Sequence, residues 1–172
     1  MISIKEKFDN MIAEQKKIKT KFQSEGQAIT KETFKEFFDV NPGITAVIWT
    51  QYTPYFNDGE PCVFGLQDPT FTNASEDEMK NVNPWGEYEG EDENVWVCEG
   101  RISRVLSGHH KWHKGLAEQI LNAGGVDIAS CDMIESMFAS SEMEDIFETL
   151  FGDHVKVTAT RKGFDIDEYE HD

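Results

Sequence analysis

Cysteine is scarce in this chain: Cys62, Cys98 and Cys131 are three thiols in 172 residues, an odd number at wide and irregular spacing. They outline neither a disulfide framework nor a Cys-x-x-Cys zinc pair, and reduced, mostly buried thiols are expected. Long apolar runs are lacking as well. Nothing approaches the ~18–20 consecutive apolar residues that span a bilayer. The opening Met-Ile-Ser-Ile-Lys-Glu-Lys has no apolar stretch of the signal-peptide kind, so a cytoplasmic setting is expected. Phosphate-loop, dinucleotide, Gly-x-Ser-x-Gly, His-Glu-x-x-His and kinase motifs are missing, which lowers the weight of the common enzyme classes. Positive charge is in short supply too: 16 Lys and Arg stand against 33 Asp and Glu, a net charge of −17.

What is present is a lopsided distribution of that charge. Residues 1–35 carry 8 Lys against 5 acids, about +3, and the remainder carries about −20. Such a field repels nucleic acid and anionic membrane and attracts cations and basic protein surfaces. With 12 Phe and 4 Trp the chain can nevertheless bury a core, and its length suits a single domain over residues 1–172.

Residues 3–24 read as an amphipathic helix, with Ile4, Phe8, Met11, Ile12, Gln15, Ile18 and Phe22 at three- and four-residue spacings. Residues 1–26 are a candidate protruding helix, able to dimerise. Ser24-Glu25-Gly26 reads as its stop. Thr30 reads as the cap of a second helix, with Ile29 and Phe34 at staple spacing, ended by Asn41-Pro42-Gly43. From Ile44 to Tyr52 the period becomes two: Ile44, Ala46, Ile48 and Tyr52 on one side, Thr45, Val47, Trp49 and Gln51 on the other. Asp58-Gly59 suits a tight turn into a return strand Cys62–Leu66. Residues 68–94 read as a long acidic insertion loop, followed by a strand from Val95 to Glu99. Helices are expected over Leu116–Asn122, after an Asp127 or Ser130 cap, and from a Ser141 cap. Two closing strands follow, Val155–Thr160 and Phe164–Glu168, the last heavily acidic. The expected fold is α+β, a mostly antiparallel sheet with N-terminal helices and a C-terminal helical segment packed on it.

Two stretches, Trp49-Thr50-Gln51-Tyr52-Thr53-Pro54-Tyr55-Phe56-Asn57-Asp58-Gly59 and Phe151-Gly152-Asp153-His154-Val155-Lys156-Val157-Thr158, resemble segments of an uncharacterised family of small acidic proteins of bacteria and their phages. The resemblance implies a prokaryotic or phage setting and transfers no activity, cofactor or catalytic residue.

Three constellations could carry chemistry. His109, His110 and His113 lie in a small basic island that runs from Arg101 to Lys114. On a helix His109 and His113 would share a face, a zinc-ligand spacing that Cys98 or nearby acids could complete, although Gly108 and Gly115 bracket the segment. The alternating acids Asp165, Asp167, Glu168, Glu170 and Asp172, with His171 among them and His154 possible opposite, could hold a hard cation; protection of an edge strand explains them as well. The turn Asn57-Asp58-Gly59-Glu60, beside Tyr52, Tyr55 and Cys62, could form a cleft in which His154 or His109 serves the thiol as base; turn chemistry alone accounts for its composition.

The leading functional expectation is a non-enzymatic acidic module that binds a protein with a basic surface, as an inhibitor or regulator of a host enzyme, with nucleic-acid mimicry as a special case. Its contact surface would be Trp85, Glu87, Tyr88, Glu89, Glu91, Asp92, Glu93 and Trp96, aromatic anchors within a carboxylate rim. No direct nucleic-acid or membrane contact and no obligatory cofactor are expected. The alternative is a small metal-dependent enzyme or zinc binder using His109, His110 and His113.

Overall fold

The computed structural model describes residues 4–56, 58–107 and 114–170. They form an α+β fold of five α-helices and a six-stranded antiparallel sheet. The elements are α1 (Ile4–Val40), β1 (Ala46–Tyr52), β2 (Gly65–Leu66), β3 (Thr70–Thr72), a 3₁₀ turn (Met79–Asn81), β4 (Val97–Glu99), α2 (Ile102–Leu106), α3 (Lys114–Ala123), α4 (Ile128–Phe138), α5 (Ser141–Phe151), β5 (Val155–Thr160) and β6 (Gly163–Glu168). The strand order is β4-β3-β1-β5-β6, with β2 also paired to β1. None of the described helices is long and apolar enough to cross a membrane.

The two helices expected before Asn41 are one helix of 37 residues. Gly26 does not stop it; a Cβ there would come within 2.8 Å of Leu150 Cδ2, so glycine lets α5 approach closely. Thr30 is no cap either, because its hydroxyl donates back to the Gly26 carbonyl at 2.8 Å, as mid-helix Thr does. Ile29 is exposed and staples nothing. At the C-terminus the fully buried Asn41 spends its amide on the Phe37 carbonyl (2.8 Å) and Ser130 Oγ (2.7 Å), and its Oδ1 accepts from Asp127 N at 2.6 Å. This ties α1 to the start of α4, where Asp127 is the N-cap.

β1 is the centre of the molecule. Val47 and Trp49 face the helices, where Trp49 meets Phe34, Phe138, Phe147 and Phe151 at 5.1–5.8 Å between ring centres. Ile44, just before the strand, joins this helix-side core rather than the Ala46 side. Ala46 and Ile48 face the other way, onto a smaller core with Ala74, Val82, Val95 and Val97. Both faces of the sheet's middle are therefore covered, one by helices and one by the chain between β3 and β4.

That covering chain corrects the reading of residues 68–94 as an insertion loop. Thr70–Thr72 is a fully buried strand paired with β1 and β4. The expected return strand after Asp58-Gly59 shrinks to Gly65–Leu66, and the last helix is capped at Ser140 rather than Ser141. The α2 helix lies inside the basic island, where none was expected.

Candidate functional site

The segment after β3 is held by its own polar side chains. Thr72 Oγ1 donates to the Trp96 carbonyl (2.7 Å), and Asn73 Oδ1 accepts from Trp96 N (2.8 Å). Asn83 builds a tight hairpin: its Oδ1 accepts from Trp85 N and Glu87 N at 3.0 and 3.1 Å, and its Nδ2 donates to Glu87 Oε2 at 3.0 Å. Backbone bonds from Asn83 N to Glu87 O and from Glu89 N to Asn81 O zip the two arms, with Val82 bridged to Tyr88. Trp85 and Gly86 form the tip. Gly86 has φ +81° and lies against β4, where an added Cβ would meet Glu99 Cβ at 2.9 Å.

This places the expected contact residues in two groups. Trp85 is 44% exposed at the hairpin tip, and Glu87, Glu89, Glu91, Asp92 and Glu93 are exposed along the arm and the following turn. Asp92 is held below the usual carboxylate range, first by the backbone N–H and then by the side chain of Asn94. Tyr88 is half-buried against the smaller core. Trp96 is not part of the surface: it is 1% exposed within the helix-side core and cannot serve as a contact anchor.

Trp85 also overhangs a groove of about 420 Å³ that sequence reasoning did not find. Asp68, Trp85, Gly86 and Glu99 line it together with Arg101, Arg104 and Glu135. Arg101 Nε stands 2.9 Å from Glu135 Oε1 and 2.7 Å from Oε2, so that carboxylate is matched. Glu99 is pushed above its ordinary value by burial and then by the charge of Asp68. The pairing of β3 with β4 and the packing of α4 assemble these walls from positions far apart in the chain. The i,i+3 pair Arg101 and Arg104 was the one local signal.

Among the described residues no cluster of three His, Cys, Asp or Glu is arranged to hold a metal ion. His109, His110 and His113 lie outside the described residues, as do Asn57, His171 and Asp172. Cys98, a candidate fourth ligand, is buried, and burial followed by the charge of Glu99 pushes its thiol up to about 12. Asp165 and Asp167 share a sheet face, opposite Thr158 and Lys156, and Lys156 Nζ lies 3.5 Å from Asp167.

The cleft imagined near Tyr55 takes a different form. His154 stacks on Tyr55 at 4.8 Å, and Tyr52 lies 5.7 Å from Tyr169. Asp153 Oδ1 accepts from Thr53 N (2.7 Å) and His154 N (2.8 Å), and Oδ2 accepts from Thr53 Oγ1 (2.7 Å). Burial raises the Asp153 carboxyl, but these donors outweigh it and hold the group below its ordinary range. Cys62 is exposed on the connecting loop.

Comparison of the chain with protein-family models, with curated proteins and with solved structures finds no match.

Proposed function

We propose that the chain is an acidic protein-binding module, an inhibitor or regulator that docks its Asn83–Glu93 hairpin and turn on a basic surface of a host enzyme. The observation that carries this reading is Trp85: a large aromatic held at an ordered tip, partly exposed, with five exposed carboxylates on the residues that follow. A net charge of −17 steers a basic partner in, and burial of the indole supplies affinity that charge alone does not. Asp68 and Glu99, side by side in the groove under Trp85, repel one another; an arriving Lys or Arg would relieve that repulsion.

The test is capture from a bacterial lysate on the immobilised chain and on Trp85→Ala, eluting with a salt step. One stoichiometric protein, released by about 0.5 M salt because exposed ion pairs are screened there, is the expected result. It should be lost from the Trp85→Ala column. An empty wild-type column, or equal retention by both, refutes the reading.

A further inference from the structure

The first half of α1 stands away from the domain. Residues 4–22 are exposed without exception, and contact with the body begins at Gln23, whose Nε2 donates to the Thr149 carbonyl at 3.1 Å, and at Gly26 and Gln27 against Leu150. At 1.5 Å per residue this stalk is roughly 28 Å long. It nevertheless carries an apolar stripe. Ile4, Phe8, Met11, Gln15, Ile18, Phe22, Glu25 and Ile29 alternate in steps of four and three, the a/d seam of a helix that packs on another helix. The six apolar members are between 42% and 75% exposed.

We infer that a second copy of this chain covers the stripe, in an antiparallel pair of stalks. With about 200 Å² for a large apolar side chain, the six leave some 700 Å² open per helix. A pair would bury about 1,400 Å², within the ~1,200–2,000 Å² of stable interfaces.

Charge selects the direction. A parallel pair would set Glu25 against Glu25 of the partner in the seam and bring two bodies of about −20 together. An antiparallel pair puts the bodies at opposite ends, separated by more than the ~8 Å Debye length. Charge also selects the register. Pairing Ile4 with Ile29 of the partner, Phe8 with Glu25 of the partner, Met11 with Phe22 of the partner and Gln15 with Ile18 of the partner keeps the two Glu25 carboxylates apart and sets Glu14 beside Lys21 of the partner twice. The register one heptad shorter would instead oppose Glu14 to Glu14, Lys7 to Lys21 and Lys5 to Lys19. In the favoured register Lys5 and Lys7 reach the stretch of the partner's α1 on which α5 packs, an element carrying Glu142, Glu144, Asp145 and Glu148. A membrane is the weaker occupant, because the acidic body would have to approach an anionic surface.

This inference does not rest on the Trp85 hairpin, and the two can fail separately. Sedimentation velocity on the full chain should show a dimer at about 100 μM, a range that detects even weak pairs. Phe8→Glu or Ile18→Glu should give a monomer that melts where the wild type melts once diluted to a monomer, since both sites are outside the core. Gln15→Leu should lower the dissociation constant at least tenfold. In a Cys62→Ser background, mixing Ile4→Cys with Ile29→Cys should give a mixed disulfide in preference to either homodimer. A wild-type chain that stays monomeric overturns the inference. So does a Phe8→Glu variant that still dimerises, a preference for Ile4→Cys homodimers, or a monomer that binds anionic vesicles through this face.

Discussion

Replacing Gln51 with Leu should cost this domain far more than the loss of one polar side chain suggests. Gln51 is fully buried on the helix-facing side of β1. Its Oε1 accepts from Trp49 Nε1 at 3.1 Å, and its Nε2 donates to the Phe147 carbonyl at 3.1 Å and to the Gly152 carbonyl. One amide therefore satisfies an indole N–H at the centre of the core, adds a second donor to the Phe147 carbonyl, and supplies a donor to the carbonyl of Gly152, the C-cap of α5, which lies past the last intrahelical donor. Leucine has similar bulk, so packing changes little, and the orphaned groups decide the outcome. At about 1–3 kcal/mol for each buried unsatisfied group, with incomplete additivity, the loss should be roughly 3–5 kcal/mol. That is a large share of the ~5–15 kcal/mol holding a typical domain. Urea unfolding followed by far-UV circular dichroism reads it directly, provided the slope with denaturant is unchanged. Gln51→Glu sharpens the test. A carboxyl buried between two carbonyls should have its pKa raised, so its stability is present below the ordinary value of about 4.3 and falls as pH rises through the raised one. A Gln51→Leu loss under about 1 kcal/mol, or a pH-independent Gln51→Glu, would refute the argument that this amide is the joint between β1 and α5.

Three other outcomes follow from the same geometry. Arg161 donates to the carbonyls of Phe38 (2.6 Å), Ile44 (3.1 Å) and Asn41 (3.3 Å) and lies over the Phe38 ring, so Arg161→Met should destabilise by about 1–2 kcal/mol in urea titrations, with Arg161→Lys recovering only part. Cys98 and Cys131 are buried with thiols pushed up to about 12, chiefly by burial, whereas Cys62 is exposed; a thiol reagent at pH 8 should label one equivalent in the native chain and three in denaturant. Asp153 has its carboxyl held low, so its contribution to stability is complete above the ordinary value of about 3.9 and is lost as pH falls through the folded one; Asp153→Asn should melt earlier at neutral pH and lose less than wild type between pH 4 and 2.5 in thermal scans.

Periodicity located most of the framework. The alternation from Ala46 to Tyr52, the closing pair Val155–Thr160 and Gly163–Glu168, and the helices after Lys114 stand where the patterns place them. What the patterns hid has physical causes. Gly26 looks like a stop because local propensity cannot see the Leu150 side chain that packs against it, where an added Cβ would meet Leu150 Cδ2 at 2.8 Å. Thr70–Thr72 is too short for a period-two signal, and its strand character comes from pairing on both sides with β1 and β4. Proximity in sequence groups Trp96 with Trp85 and Tyr88, and the fold separates them. Alternation along Val95-Trp96-Val97-Cys98 carried the better clue, because it sets Trp96 on the same side as the buried Cys98. The groove was invisible for a different reason: Asp68, Glu99 and Glu135 become neighbours only through the β3–β4 pairing and the position of α4.

The segments Trp49–Tyr55 and Gly152–Val157, a hundred residues apart in the chain, are partners of each other. Trp49 to Gln51 pair with Val155 to Val157 across β1 and β5, Gln51 holds the Gly152 carbonyl, and Thr53 holds Asp153 through both its N–H and its hydroxyl. His154 takes the left-handed conformation at φ +55°, two residues after Gly152 at φ +95°, and stacks on Tyr55. A non-glycine residue there costs of order 1 kcal/mol or more, and the Asp153 carboxylate that accepts from His154 N–H offsets part of it. The polar atoms of Gln51, Thr53 and Asp153 are thus occupied with turning the chain from α5 into β5 and fixing that turn to the end of β1. Each of these residue types has a structural reason to be where it is, with no reaction invoked. With their polar groups spent on closing the sheet, these residues offer a partner little, whereas the proposed docking and pairing surfaces, the Trp85 hairpin and the Lys-rich stalk, keep their aromatic and charged side chains exposed.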